Sequence, residues 1–190
     1  MGASVTTVCS TLSELAEVVT PALQGKKPPV VGVDGIDGAG KTHLVAKPLA
    51  ELILAKVVSL DRHLIKKRGG FIPFLRCQSI RAAIEVSDQN VIVEGVCLLA
   101  AAARCGFRID IHVYVKRLEK DGRWADEDLC LGLTPAEKLI EEDLKAREAH
   151  ASIFGGDTPE NPLYAEVAEY HQHYKPVEAA DVIFEVVKHA

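Results

Sequence analysis

The stretch GIDGAGKT, Gly35 to Thr42, places three glycines, a lysine and a threonine hydroxyl within eight residues. It satisfies the pattern G-x-x-x-x-G-K-S/T, which arises by chance in only ~1% of chains of this length at average residue usage. Glycines at these positions let successive backbone N–H groups converge on one anion with no side chain in the way. The helix that follows adds its positive dipole end. The chemistry implied is the grip of a triphosphate by Gly35, Asp37, Gly38, Ala39, Gly40, Lys41 and Thr42. Lys41 should reach the β and γ phosphates, and the Thr42 hydroxyl should ligate Mg²⁺. The competing reading is a glycine turn that only joins strand to helix.

Further groups suited to phosphate chemistry close other apolar runs. Glu94 ends VIVE, where a carboxylate can hold the water shell of Mg²⁺. Asp61 follows VVSL, and a carboxylate facing the γ-phosphate can accept a proton from a hydroxyl; the alternative is a helix-capping Asp. Asp37 either orients an acceptor hydroxyl, as a rival base, or bonds its own backbone in the turn. Arg117 and Arg123 either close over the transferring group and stabilise its charge or are solvated surface residues. Arg62, His63 and Arg76 are candidates for the acceptor side. KKRGG, Lys66 to Gly70, reads as a solvated basic loop, or as a binder of an anionic acceptor. His171 and His173, two apart on a helix, face different ways, which argues for a surface helix and against a shared metal. Trp124 reads as packing for the segment over the site.

The elements that must position these groups alternate. Val30–Asp34, Lys56–Leu60, Val91–Val96, Ile109–Val115 and Val182–Val187 read as continuously buried strands, with helical stretches between them. Such an order implies an α/β three-layer sandwich with a five-stranded parallel sheet and right-handed crossovers. Ligands then bind at the carboxyl ends of the strands. Thr11 with Glu14 predicts a capping box, and Thr134 with Pro135 predicts another helix start. Pro48, about two turns past the glycine loop, predicts a kink or a short first helical segment.

The chain has 190 residues, 48% apolar, enough for one domain over residues 1–190, with a helical lid at about 116–160. A net charge of −5 argues against a nucleic-acid partner. No run approaches a membrane span and no secretory signal is visible, so a cytoplasmic location is expected. The five cysteines show no C-x-x-C spacing and read as reduced core residues. Oligomeric state is left as monomer or homodimer.

In order along the chain, VGVDGIDGAGKT, VVSLDRHL, VIVEGVCLL, DIHVYVKR and YKPVEAADVIF resemble the uridine kinase-like family of phosphate-loop kinases, which includes phosphoribulokinase and bacterial pantothenate kinase. The resemblance implies a phosphate-loop NTPase fold, ATP and Mg²⁺ as cofactors, and a small hydroxyl compound such as a nucleoside or sugar as acceptor. It implies Asp61 as general base and Glu94 as the carboxylate near the metal. It also implies that backbone near Ala179–Asp181 approaches adenine. Family members usually show D-x-F/Y after the second strand and R-x-x-R-D in the lid. Here DRHLIKKR and KRLEKDGRWADED stand instead, so the acceptor pocket departs from that of an ordinary uridine kinase. The rival function is a nucleotide-dependent switch or regulatory ATPase without an acceptor. Against it, the strand end at Glu94 lacks a switch-type Asp-x-x-Gly, and no guanine-reading Asn-Lys-x-Asp occurs. A binding module that has lost its activity is the third reading.

Overall fold

The computed structural model describes residues 6–24, 29–65, 69–155 and 161–187. Its strands are β1 (Thr7–Cys9), β2 (Val30–Asp34), β3 (Ala55–Ser59), β4 (Asn90–Glu94), β5 (Ile111–Leu118) and β6 (Val182–Val187). Its α-helices are α1 (Leu12–Val19), α2 (Lys47–Leu52), α3 (Cys77–Glu85), α4 (Leu98–Cys105), α5 (Glu127–Cys130), α6 (Ala136–Phe154) and α7 (Pro162–Tyr174). All strand pairs are parallel, in the order β1-β6-β5-β2-β4-β3.

Every residue of β2 is buried, as are the last four of β4 and the first five of β5. Both faces of these strands are covered, so a continuous Val/Ile run is stable there, with each buried side chain contributing about 1.5–3 kcal/mol. The five long runs are the expected strands, within a few residues. The sheet has a sixth member, a correction to the expected five. β1 is three residues long with only Cys9 buried, too short to show a period, and it takes its place by pairing with the edge of β6.

Local signals account for several helix ends. Thr11 and Glu14 form the expected capping box at α1. After the glycine loop the helix starts with six residues wound as a π-helix, Lys41–Ala46, and α2 then carries Pro48 in its first turn. The Lys47 N–H bonds the Thr42 carbonyl, five residues back. The predicted short first segment is therefore present: the π-wound turn ends at Ala46, directly before the turn that holds Pro48. At α6 the cap is Pro135, with an extended ψ of 139°, one residue later than expected.

Two expectations about cysteine and histidine are overturned. Cys77 and Cys105 form a disulfide that joins the start of α3 to the end of α4. Their Cα atoms lie 4.7 Å apart, within bridging range, a proximity that their separation of 28 residues conceals. Cys9, Cys97 and Cys130 are buried free thiols, as expected of core residues. His171 is not on a surface: its Nε2 meets the Tyr114 hydroxyl at 2.8 Å in the core, and its Nδ1 meets the Val167 carbonyl. His173 is exposed. No helix among the described residues is long and apolar enough to cross a membrane.

Candidate active site

The carboxyl ends of β2, β3 and β4 open into a cavity of about 500 Å³. Its walls include Asp37, Gly38, Gly40, Lys41, Thr42, Asp61, Glu94, Phe71 and Leu163. The strand order reverses between β4 and β5 on either side of β2, which is where open parallel sheets bind ligands. A hollow of about 570 Å³ lies elsewhere, beside Val30, Arg81 and Phe107, and no residue nominated for chemistry borders it.

The loop leaves β2 through Gly35, at a φ of 144° and with the Val115 carbonyl 2.9 Å from where a Cβ would stand. Only glycine fits there. Gly38 and Gly40 also have positive φ. Behind the loop lies Asp34, fully buried at the end of β2. Its Oδ1 accepts from the N–H of Gly35 at 2.7 Å and of Leu98 at 3.5 Å. Its Oδ2 accepts from the Tyr170 hydroxyl and lies 3.3 Å from His112 Nε2. A buried carboxylate is tolerable only with such partners. Burial, with Asp34 beside it, holds the Tyr170 hydroxyl far above its ordinary pKa. Tyr170 thus stays a donor. Asp34, His112 and Tyr170 were not singled out from sequence. The available signal was an ionisable residue closing a wholly apolar strand.

Lys41 is buried, and its Nζ donates to the Ile36 carbonyl at 2.6 Å. Burial lowers its pKa, while Asp34, Glu94, Asp37 and Asp61 each push it upward. Four carboxylates therefore act on one lysine at the mouth of the loop. The Thr42 hydroxyl donates to Glu94 Oε2 at 3.0 Å. The other oxygen of this buried residue, Oε1, has no hydrogen-bond partner among the described residues. An orphaned buried carboxylate oxygen beside a threonine hydroxyl, in an acidic setting, fits a divalent cation. No cluster of three or more His, Cys, Asp or Glu side chains suited to a metal exists among the described residues. Thr42 and Glu94 alone would leave most ligand positions to water and phosphate oxygens, the way Mg²⁺ is usually held.

Asp61 lies on a 3₁₀ turn, Leu60–His63, directly after β3, exposed and facing the cavity. Asp37 lines the same cavity, and its Oδ1 accepts from the Gly38 N–H at 2.9 Å. That bond ties the carboxylate to its own loop backbone. The Arg117 Nη1 donates to the Gly38 carbonyl at 3.4 Å and its Nη2 to Asp126 at 2.8 Å, bringing a cation to the outer rim of the loop. Arg117, Asp126 and Tyr164 border an adjoining hollow of about 290 Å³.

Other nominated residues do not come together here. Arg123 pairs with Asp121 two residues away, its side chain 80% exposed, and borders neither cavity. The Arg76 guanidinium donates to the carbonyls of Arg62 and His63, and His63 Nδ1 meets the Ser79 hydroxyl at 2.9 Å. Desolvation, with Arg76 and Lys56 nearby, lowers the His63 pKa. Arg62, His63 and Arg76 brace the turn that carries Asp61 and do not border the cavity. Lys66, Lys67 and Arg68 fall outside the described residues. Trp124 packs under the Lys116 ammonium, 4.9 Å from its ring centre, where the chain doubles back on β5. Asp181 sits at the amino end of β6, its Oδ2 accepting from the His112 N–H, so its segment starts a strand at the opposite edge from the loop.

These features define a parallel α/β fold with a glycine-rich phosphate loop at the carboxyl edge of its sheet. Among solved structures, a possible uridine kinase from Bacillus stearothermophilus superposes with a TM-score of 0.53 at 16% identity, over 91% of this chain and 96% of that one. A putative fructose transport system kinase from Silicibacter sp. TM1040 aligns at 15% identity with a TM-score of 0.46, over 93% of this chain and 100% of that one. No protein-family model and no curated protein matches the chain in sequence.

Proposed function

We propose that this chain is a Mg²⁺-dependent kinase that moves the γ-phosphoryl group of ATP to a hydroxyl of a small metabolite such as a nucleoside or sugar. One observation carries the proposal. Lys41, Thr42, Glu94 and Asp61 come from three different strand ends and converge on one cavity, with Glu94 Oε1 buried and unpartnered.

In this reading the loop amides and Lys41 bind the β and γ phosphates, and Lys41 leaves the Ile36 carbonyl to do so. Thr42 and Glu94 would hold Mg²⁺, which supplies charge neutralisation at the phosphates. Asp61 accepts the proton of the attacking hydroxyl, and its setting on a turn just after β3 keeps it on the cavity wall. Asp37 keeps the loop in shape through the Gly38 N–H. Arg117 offsets the charge that develops on the transferring group, held in place by Asp126. The stretch containing α5 and α6 serves as the lid that excludes water.

The test is ADP release by the purified chain with ATP and Mg²⁺, alone and with uridine, fructose, pantothenate or ribulose 5-phosphate. The proposal expects at least one acceptor to raise release. It also expects Asp61→Asn to lower that rate by ~10²-fold or more with ATP affinity unchanged. Release that no acceptor raises would favour the regulatory ATPase.

A further inference from the structure

The acceptor end of the cavity has a wall that nothing in the loop motif specifies. Gly70 and Phe71 border the cavity, and Phe71 is buried. Both are held from a distant helix. The Glu166 carboxylate of α7 accepts the Phe71 N–H on both oxygens at 2.9 Å and the Ile72 N–H on Oε2 at 2.8 Å. These amides open the 3₁₀ turn Ile72–Phe74, so one charged group satisfies two donors that have no partner within the turn. Gly70 lies against the same carboxylate at a φ of 79°, and a Cβ on it would overlap Glu166 Oε1. The second glycine of KKRGG is thereby accounted for by close approach, independently of the three basic residues before it.

The same face of α7 reaches the phosphate loop. Leu163, three residues before Glu166, borders the cavity. Tyr170, one turn after it, donates to Asp34 behind Gly35. One helix therefore holds the root of the nucleotide loop and the wall opposite it, spacing the two ends of the cavity.

We propose that Glu166 is a positioning residue for the acceptor: it sets Gly70 and Phe71 at the distance from the phosphate loop that a bound hydroxyl compound requires. This rests on the kinase reading above. Two variants disturb the clamp from opposite sides. Glu166→Gln replaces one accepting oxygen with a donor facing the turn amides. Gly70→Ala pushes the carboxylate away and leaves it charged.

The experiment measures KM and kcat for whichever of uridine, fructose, pantothenate and ribulose 5-phosphate stimulates ADP release, together with ATP affinity by titration calorimetry. Both variants should raise the acceptor KM by ~10-fold or more, because small displacements of a positioning wall are costly, while ATP affinity stays within about twofold. An unchanged acceptor KM in both variants overturns the proposal. So does a parallel loss of ATP affinity, which would make Glu166 a general structural support. If the wild-type chain releases no additional ADP with any of the four compounds, the kinase reading fails and takes this inference with it. That outcome is distinguishable because it appears before any variant is made.

Discussion

The edge of the molecule around the glycine loop and the stretch from Arg117 to Phe154 both carry charge, yet they manage it differently. At the loop edge Asp34, Glu94 and Lys41 are buried and held by neutral partners through specific bonds: Asp34 with Gly35 and Tyr170, Glu94 with Thr42, and Lys41 on Ile36. In α6 only Ala136 is buried, and its pairs, Lys138–Glu142, Glu141–Lys145 and Asp143–Arg147, lie four residues apart along the helix. Such local pairs at or near the surface contribute little to stability. A group that must hold a triphosphate in one geometry needs the first arrangement. The lid proposed for the kinase reading would need the second.

The largest effect that would sharpen this contrast is at Lys41. Lys41→Met should lower acceptor-dependent ADP release by ~10³-fold, and a rate assay with normal activity would remove the lysine from its role. Next comes the buried carboxylate. Asp34→Asn should cost about 2–4 kcal/mol of stability in urea unfolding, since it unbalances a group whose partners are buried with it. A shift under 0.5 kcal/mol, of the size expected at an exposed position, would place the network outside the fold's support.

Within the stretch from Arg117 to Phe154 the two arginines separate. Arg117→Ala should lower kcat by ~10-fold because it removes the cation on the rim of the loop, whereas Arg123→Ala should leave kcat within about twofold. Equal effects would erase the distinction drawn from their partners.

The smallest effect concerns acid. Burial holds the His171 pKa below its ordinary value. The unfolded chain therefore binds a proton, at about pH 6.5, that the folded chain refuses. Between that pH and the lower folded value the unfolded state carries more protons, so stability falls as pH falls through this window. His171→Gln should flatten the dependence of urea midpoints between about pH 5 and 7, and an unaltered slope would assign it to other groups.

What sequence made legible was whatever depends on runs and local spacing. The Val-rich strands, the loop from Gly35 to Thr42, the Thr11 box and the break at Pro48 all act within a few residues. What it left hidden depends on chain returning from far away. Cys77 meets Cys105 because α3 and α4 lie side by side, Glu166 meets Phe71 across 95 residues, and Tyr170 meets Asp34 across 136. Arg76 looked suited to an anionic acceptor by type, but it turns two of its donors to the backbone carbonyls of Arg62 and His63 and lies off the cavity wall, a matter of direction that composition does not encode.

The most direct test of the whole account is a crystal structure of the chain with Mg²⁺ and a nonhydrolysable ATP analogue. The account predicts phosphates within the Gly35–Thr42 loop, Lys41 Nζ moved from the Ile36 carbonyl to the β and γ phosphates, and the metal beside Thr42 and Glu94. A triphosphate bound elsewhere, or Lys41 still on Ile36 with the loop empty at saturating analogue, would contradict it.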